Sequence, residues 1–387
     1  MAAAPRKDDR SGVTRNRVIA VVLIVAAALA IFVVRVSDSM ADFEVYWRGA
    51  TRAAAAEPLY RADDEHYRFK YFPSFAVLAI PIGLLPLPTA KAFWFTGSVV
   101  LLVVLIWSSV ALLNNRRKSA TFLTVVTVAV LGKFFGHELV LGQVNILFTL
   151  LAVCALLAIR REHETLAGVL VAVTIAIKPY GVLFVPWLVA RRRGNSIVAV
   201  GATLAFIAVL PVPLYGVAGT IALYRDWWAT VSGTTASTLT SRDNVSFAGA
   251  FAKWLGPGTA AAALTTAAGA VAIGAAAAAF IRRRGVTFPE ALEGSVLLML
   301  IPLLSPQGWD YVLLLATPAI VLLANHLDDL PTAMRTAALV AGLIMGLSVF
   351  DVMGRPAYAK FMDMAVITVC ATILLAAMCV LRARKVA

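Results

Sequence analysis

The sequence predicts an all-α, polytopic transmembrane bundle of about twelve spans with two larger extracytoplasmic loops, and three observations carry that expectation. Of 387 residues, 61% are hydrophobic and only 14% are charged, with a mean hydropathy of +0.85, more apolar surface than a soluble core of this size buries. The apolar residues come in runs of roughly 17–25 separated by short polar stretches, each run long enough to cross ~30 Å of hydrocarbon as a helix. Lipid offers no partner for an unpaired backbone group, so the runs are expected to be helical.

In order, the candidate spans are 18–34, 72–88, 92–113, 120–136, 140–159, 165–189, 196–215, 258–281, 291–304, 310–325, 333–351 and 363–381. Arg6, Lys7, Arg10, Arg15 and Arg17 precede the first. No small-x-small cleavage site follows it, so it reads as a retained span behind a cytoplasmic N-terminus of residues 1–17, with 18–387 as one integral membrane domain. The stretch 35–70 then faces out. The triple-arginine runs at 191–193 and 282–284 belong inside, and the two spans between them place 216–257 outside. The same count puts 305–309 and 352–362 outside and Arg382, Arg384 and Lys385 inside. In the front half, twelve plain spans strand Arg116 to Lys118 and Arg160/Arg161 on the outer face, against the positive-inside tendency. A re-entrant piece at 72–88 and a broken hairpin at 165–189 would repair both. The Ala-rich run 259–279 favours close helix packing.

The net charge of +13 does not point to nucleic acid, because the basic residues cluster at the ends of apolar runs, where they set topology and meet anionic lipids. Cys154, Cys370 and Cys379 lie inside apolar runs and read as structural. His66, His137, His163 and His326 are scattered without zinc-site spacing.

The chemistry concentrates in a few polar stretches. The first outer loop carries Asp42, Glu44, Tyr46, Trp47 and Arg48, then Glu57-Pro58-Leu59-Tyr60 and Asp63-Asp64-Glu65-His66-Tyr67. Carboxylates among aromatics suit a sugar site, since rings stack on pyranose faces and carboxylates bind hydroxyls or take a proton; the alternative is an amphipathic surface helix with an aromatic belt. Asp42 follows the first span closely, where partial desolvation would raise its pKa toward the range of a general base. Gly142-Gln143-x-Asn145 opens one span, and Lys178-Pro179-Tyr180 interrupts another. A lysine at mid-membrane costs ~2.5–3.5 kcal/mol on insertion scales, so Lys178 is expected to face a polar cavity or an anionic ligand, and Pro179 breaks the helix there. The second outer loop holds Tyr224-Arg225-Asp226-Trp227-Trp228 and Ser241-Arg242-Asp243-Asn244-Val245-Ser246-Phe247. Arg242 suits a phosphate through forked hydrogen bonds, while Asn244-Val245-Ser246 also matches a glycosylation acceptor pattern. A third outer site is Ser305-Pro306-Gln307-Gly308-Trp309-Asp310-Tyr311.

Taken in order, these motifs resemble glycosyltransferase family 87 of the GT-C superfamily, the polyprenyl-phosphosugar-dependent mannosyltransferases of actinobacterial envelopes. The matching pieces are Asp42-x-x-x-Tyr46 with Pro58-Leu59-Tyr60, Tyr71-x-Pro73 with Pro81 and Leu85-Pro86, Gly142-Gln143-Val144-Asn145, the Gly168 to Lys178-Pro179 stretch, Asn244-x-Ser246 with Gly249, and Ser305-Pro306-x-x-Trp309. The resemblance implies a GT-C-like helical enzyme that takes a sugar from a polyprenyl-phosphate donor at the outer face of the cell membrane. It adds that sugar to a glycolipid or glycan acceptor, with inversion and with Asp42 as base. Lys178 and Arg242 are then candidates for the donor phosphate. Tyr46, Tyr60, Trp309 and Asn244, with Gln143, Asn145, Ser246 and Asp310, would shape the substrate site. Mannose is the family-level sugar and arabinofuranose its nearest rival. Asp310-Tyr311 departs from the histidine that similar enzymes carry after Ser-Pro-x-x-Trp. No Asp-x-Asp with a soluble nucleotide-sugar domain is present, and a lipid-phosphate leaving group needs none, so no cofactor and no metal are expected.

Two other classes compete. A transporter or flippase of an envelope lipid or anionic solute also wants an intramembrane lysine and a Pro-broken helix, but predicts paired breaks in two related halves; one break and no repeat are evident. A non-catalytic partner in an envelope-synthesis complex would not need the acid at 42.

Overall fold

A computed structural model of the protein describes residue 27 and residues 29–234, 238–281 and 288–384. The basic N-terminus, most of the first expected span, the arginines at 282–284 and Lys385 lie outside the described residues. Within them the chain is nearly all helical and has no strands, as composition required.

The helices that matter here are α1 (Ala41–Ala54), α2 (Leu87–Ala111), α3 (Ala120–Leu141), α4 (Asn145–Arg160), α5 (Glu164–Ile177), α6 (Phe184–Ala190), α7 (Gly194–Val209), α8 (Val212–Thr234), α9 (Phe247–Leu255), α10 (Thr259–Ile281), α11 (Pro289–Leu304), α12 (Thr317–Asn325), α13 (Thr332–Leu347), α14 (Arg355–Asp363) and α15 (Val366–Ala383). Among the described residues four of them, α2, α3, α10 and α15, are long and apolar enough to cross a membrane. The pair α7 and α8 adds a fifth if its 98° bend counts as one broken span, and Pro211 sits at that corner. Several expected spans are shorter apolar helices, among them α4, α5 and α13.

Proline chemistry explains two departures from the simple span list. Residues 72–88 form two short helices, Pro73–Leu78 and Ile80–Gly83, and a proline stands in the first turn of each and of α2; a missing N–H is harmless there and disruptive further in. Residues 165–189 break after α5 at Lys178, whose backbone is extended, and resume as a tight turn from Pro179 into α6. The expected loop 216–257 is largely helical. Helix α8 continues through Thr234 past a kink at Gly216, held by Trp227, whose ring centre lies 4.3 Å from that of Phe72 and which donates to the Lys70 carbonyl at 3.1 Å.

Small residues let the helices approach. A Cβ on Gly168 would stand 2.2 Å from the Ser196 carbonyl oxygen, so α5 and α7 meet backbone to backbone. The described basic clusters gather at one end of the bundle. Arg117 pairs with Asp329 at 2.7 Å, Arg384 donates to the Asp329 carbonyl at 3.0 Å, Arg160 donates to the Ala111 carbonyl at 2.6 Å, and Arg193 bridges Glu164 and Glu290. Helix α3 starts at that end, with Ser119 capping the Phe122 N–H at 3.1 Å, and ends at the other, where Gly142 turns left-handed at φ +70°.

A buried charge clamp locks the broken segment to the bundle. Glu293 of α11 accepts from Trp187 at 2.8 Å and Arg191 at 2.7 Å, and from Arg382 of α15 at 2.8 Å. Glu293 and Arg382 are wholly buried. Glu293→Gln leaves two guanidinium groups without their carboxylate, and removing one member of such a cluster costs about 3–5 kcal/mol. We expect a large drop in the thermal unfolding midpoint of the detergent-purified protein; an unchanged midpoint would show the clamp to be dispensable.

Candidate active site

At the Gly142 end of the bundle the chain builds a polar network inside an aromatic wall. The α3–α4 turn forms it locally. Glu138, in the last turn of α3, is fully buried and accepts from the Asn145 N–H at 2.6 Å, the Ile146 N–H at 3.2 Å and the Asn145 side-chain amide at 2.8 Å. It thereby caps the start of α4, where the helix dipole favours a carboxylate. Gly142 is needed for more than its φ, because a Cβ there would fall 2.6 Å from Phe43 Cβ. That close approach seats α1 on the turn, and Met40 N–H donates to the Val140 carbonyl at 3.0 Å.

Gln143 sits at the junction. Its Nε2 donates to Asp42 Oδ2 at 2.8 Å and to the Tyr311 hydroxyl at 3.2 Å. Its Oε1 accepts from Tyr46 at 2.9 Å and from Lys178 Nζ at 3.2 Å. Lys178 also donates to Asn145 Oδ1 at 2.8 Å and lies 5.8 Å from the Tyr71 ring centre. Tyr46 and Tyr71 share a hydrogen bond at 2.8 Å with rings edge to face. Six side chains from five segments thus meet around one acid. Asp42, at the start of α1, is only partly buried. Burial raises its carboxyl above the ordinary range, and the Gln143 hydrogen bond and the nearby charges of Lys178, His137 and Lys70 offset part of that rise.

A second cluster adjoins it. Asp310 is buried; its Oδ1 lies 2.7 Å from His137 Nδ1 and its Oδ2 3.3 Å from Lys133 Nζ. The His137 ring stands edge to face against Tyr311 at 5.3 Å, which links this cluster to Gln143 and Asp42. Asp243, in the loop before α9, has its carboxyl raised by burial and then by the neighbouring Asp310 charge.

Of the residues singled out from sequence, the structure brings Asp42, Tyr46, Gln143, Asn145 and Lys178 into one network and Asp310 into the cluster beside it. Tyr60 is one step removed, its hydroxyl donating to the Tyr71 carbonyl at 2.7 Å. Asn244, Ser246 and Trp309 spend their interactions on the fold. The loop before α9 pairs with the Ser305 to Trp309 segment through Val245 N–H to the Gly308 carbonyl at 2.7 Å and Asp310 N–H to the Asp243 carbonyl at 2.9 Å. Asn244 Nδ2 donates to the Pro306 carbonyl at 2.9 Å, its Oδ1 accepts from Ser246 Oγ at 2.7 Å, and Ser246 caps α9 on the Gly249 N–H at 3.0 Å. With Asn244 fully buried, the glycosylation reading of Asn244-Val245-Ser246 is overturned. Arg242 is exposed and pairs with Asp363 at 3.2 Å, outside the Asp42 network.

Sequence reasoning gave no site role to Tyr71, Lys133, His137, Glu138 or Tyr311. The signal for three of them was present: Lys133, His137 and Glu138 lie within one 22-residue apolar helix, and ionisable groups inside a span are costly enough to need a purpose. Ending that span at 136 hid His137 and Glu138 in an imagined loop.

The contrast within the segment before α9 is testable. Asn244→Ala orphans buried donors and acceptors and is expected to cost ~1–3 kcal/mol of stability, whereas Arg242→Ala breaks a solvated pair worth at most ~1 kcal/mol. Thermal unfolding of the two variants should separate them in that order.

Comparison with known proteins gives one match, in which a family model described as glycosyltransferase family 87 covers residues 69–306. No curated protein and no solved structure matches the chain. Gln143, Asn145, Lys178, Arg242, Asn244 and Ser246 fall inside the matched residues, while Asp42, Tyr46, Tyr60, Trp309 and Asp310 lie outside them.

Proposed function

The chain belongs to glycosyltransferase family 87 and is a membrane glycosyltransferase; from that premise we propose that it moves a hexose, mannose in the first instance, from a polyprenyl-phosphate donor to a glycolipid or glycan acceptor, with Asp42 as the general base. The observation that carries the reading is the half-buried Asp42 carboxylate, oriented by Gln143 and walled by Tyr46, Tyr71 and Tyr311. The gathering of the described basic clusters at the opposite end of the bundle supports an extracytoplasmic site in a multi-pass cell-membrane protein, since positive ends stay inside.

The proposed step is a single displacement. Asp42 accepts the proton of the acceptor hydroxyl as that oxygen bonds to the anomeric carbon. The bond from that carbon to the phosphate oxygen breaks, the phosphate leaves with the electron pair, and configuration inverts. Gln143 holds Oδ2 and leaves Oδ1 for the hydroxyl. Lys178, bonded to Gln143 and Asn145, fixes the amide that fixes the base and adds positive charge behind the developing phosphate. The aromatic wall excludes water, the competing acceptor.

Transfer of radiolabelled sugar from polyprenyl-phosphomannose, and separately from polyprenyl-phosphoarabinose, to membrane glycolipids should be catalysed by the wild type and lost in Asp42→Asn. Full turnover by a folded Asp42→Asn protein would remove the base assignment, and transfer from the arabinose donor alone would correct the sugar.

The pH dependence has a definite sign. The base works deprotonated, so kcat/KM falls as pH drops through the pKa of Asp42. Burial places that limb above the ~3.9 of an ordinary aspartate. Gln143→Met removes the hydrogen bond that stabilises the carboxylate and should move the limb to higher pH while lowering the plateau. A limb that stays in place would mean that Gln143 does not set the base.

A further inference from the structure

One hydroxyl hydrogen in the network around Gln143 has no destination. The neighbours fix the orientation of the amide: an ammonium only donates, so Oε1 faces Lys178, and Nε2 then faces the Asp42 carboxylate, which only accepts. Nε2 gives its two hydrogens to Asp42 Oδ2 at 2.8 Å and to the Tyr311 hydroxyl at 3.2 Å. The Tyr46 and Tyr71 hydroxyls lie 2.9 and 3.3 Å from Gln143 Oε1 and 2.8 Å from one another. Whichever of the two donates to the other, the second donates to Oε1, and both hydrogens are used. Lys178 donates to Gln143 and Asn145, with the rings of Tyr71 and Tyr180 centred 5.8 and 6.0 Å from Nζ.

Tyr311 differs. Its oxygen accepts from Gln143, so its own hydrogen cannot return to that amide, and among the described residues no other acceptor bonds it. Tyr311 is only 6% exposed, and a buried donor without an acceptor is costly. Its ring is held independently of the hydroxyl, edge to face on His137 at 5.3 Å, while Asp310 just before it is tied to His137 and Lys133. Packing therefore places the ring and leaves the O–H for a ligand.

The geometry selects the ligand atom. The two N–H bonds of a planar amide open at about 120°, so Asp42 Oδ2 and the Tyr311 hydroxyl, 2.8 and 3.2 Å from Nε2, stand roughly 5 Å apart. That is close to the span of two O–H···O bonds of ~2.7 Å through one intervening oxygen. An oxygen in that place must give a hydrogen to the carboxylate and take one from the phenol. A hydroxyl does both; an ether, ester or ionised phosphate oxygen cannot.

Resting on the proposed glycosyltransferase reading, we infer that Tyr311 is a second catalytic residue, donating to the acceptor's attacking hydroxyl while that hydroxyl gives its proton to Asp42. The bridged oxygen has two lone pairs. Tyr311 occupies one, and the other forms the bond to the anomeric carbon. The proton passes to Asp42, the phosphate leaves with the electrons of the broken bond, and Tyr311 keeps its own hydrogen throughout. Its contribution is to aim the acceptor oxygen.

Tyr311→Phe keeps the ring and its contact with His137 and removes only the hydroxyl. With polyprenyl-phosphomannose as donor, kcat/KM for the glycolipid acceptor should fall roughly tenfold, while the Kd of that donor measured without acceptor stays the same. Tryptophan fluorescence of the protein in nanodiscs, titrated with methyl α-D-mannopyranoside, reads the acceptor site without turnover. Tyr311→Phe and Asp42→Ala should each weaken that binding, and the double variant by less than the product of the two, because both groups hold one oxygen. Unchanged kcat/KM in Tyr311→Phe, a loss confined to donor binding, or independent effects in the double variant would each overturn the inference. So would a Tyr311→Phe protein that no longer folds, since the hydroxyl would then serve the fold. Coupled loss of mannoside binding, with no transfer by wild type from the mannose or the arabinose donor, would instead count against the glycosyltransfer reading and leave the bridged hydroxyl standing. Neither binding nor transfer by wild type would remove both.

Discussion

One side-chain amide holds the candidate site together. Gln143 follows the left-handed Gly142 and contacts Asp42 and Tyr46 of α1, Lys178 at the break after α5 and Tyr311 beyond α11. No two of the segments α1, the α3–α4 turn, the 178–179 break and the 305–311 stretch are neighbours in sequence. The amide can serve all of them because it both donates and accepts, which neither a carboxylate nor an ammonium does.

Around that junction the charges are arranged to be tolerable in an apolar bundle. Glu138 uses its oxygens on backbone N–H groups and Asn145, Lys178 is held by two amide oxygens, and Asp310 faces His137 and Lys133. Each is supported by hydrogen bonds, as burial of charge demands. Asp42, at the start of α1, is the least enclosed of these acids, being only partly buried. At the other end the Glu293 clamp performs a different task, tying α6, which the proline break would otherwise leave loosely attached, to α11 and α15.

Helix α3 joins these themes. Its start is capped among the basic clusters, and its last three turns supply Lys133, His137 and Glu138 before Gly142 ends it. A span that carries three ionisable groups is expensive to insert, and the polar partners gathered at its end account for its stability.

The helical, membrane-embedded class was determined by composition and run length alone, because an apolar chain in lipid has few ways to satisfy its backbone. Short-range chemistry was partly legible: Pro179 marked the break and Asp42 an acid at the edge of an apolar run, whereas Gly142 was read as opening a span at 140 and is in fact the turn that ends α3. The tertiary structure decided what range and periodicity cannot express. It placed Asp42 on Gln143 across a hundred residues, moved Asn244 and Ser246 from substrate candidates to loop and cap, and left Arg242 on the surface with Asp363. It also turned 72–88 into two short helices and put Arg117 and Arg384 at the same end, which twelve plain spans could not do. Hydrophobic run length reports whether a segment prefers lipid. Which segments meet, and therefore which polar residues find partners, depends on close packing at glycines such as Gly142 and Gly168 and on hydrogen bonds that form only once the helices have assembled.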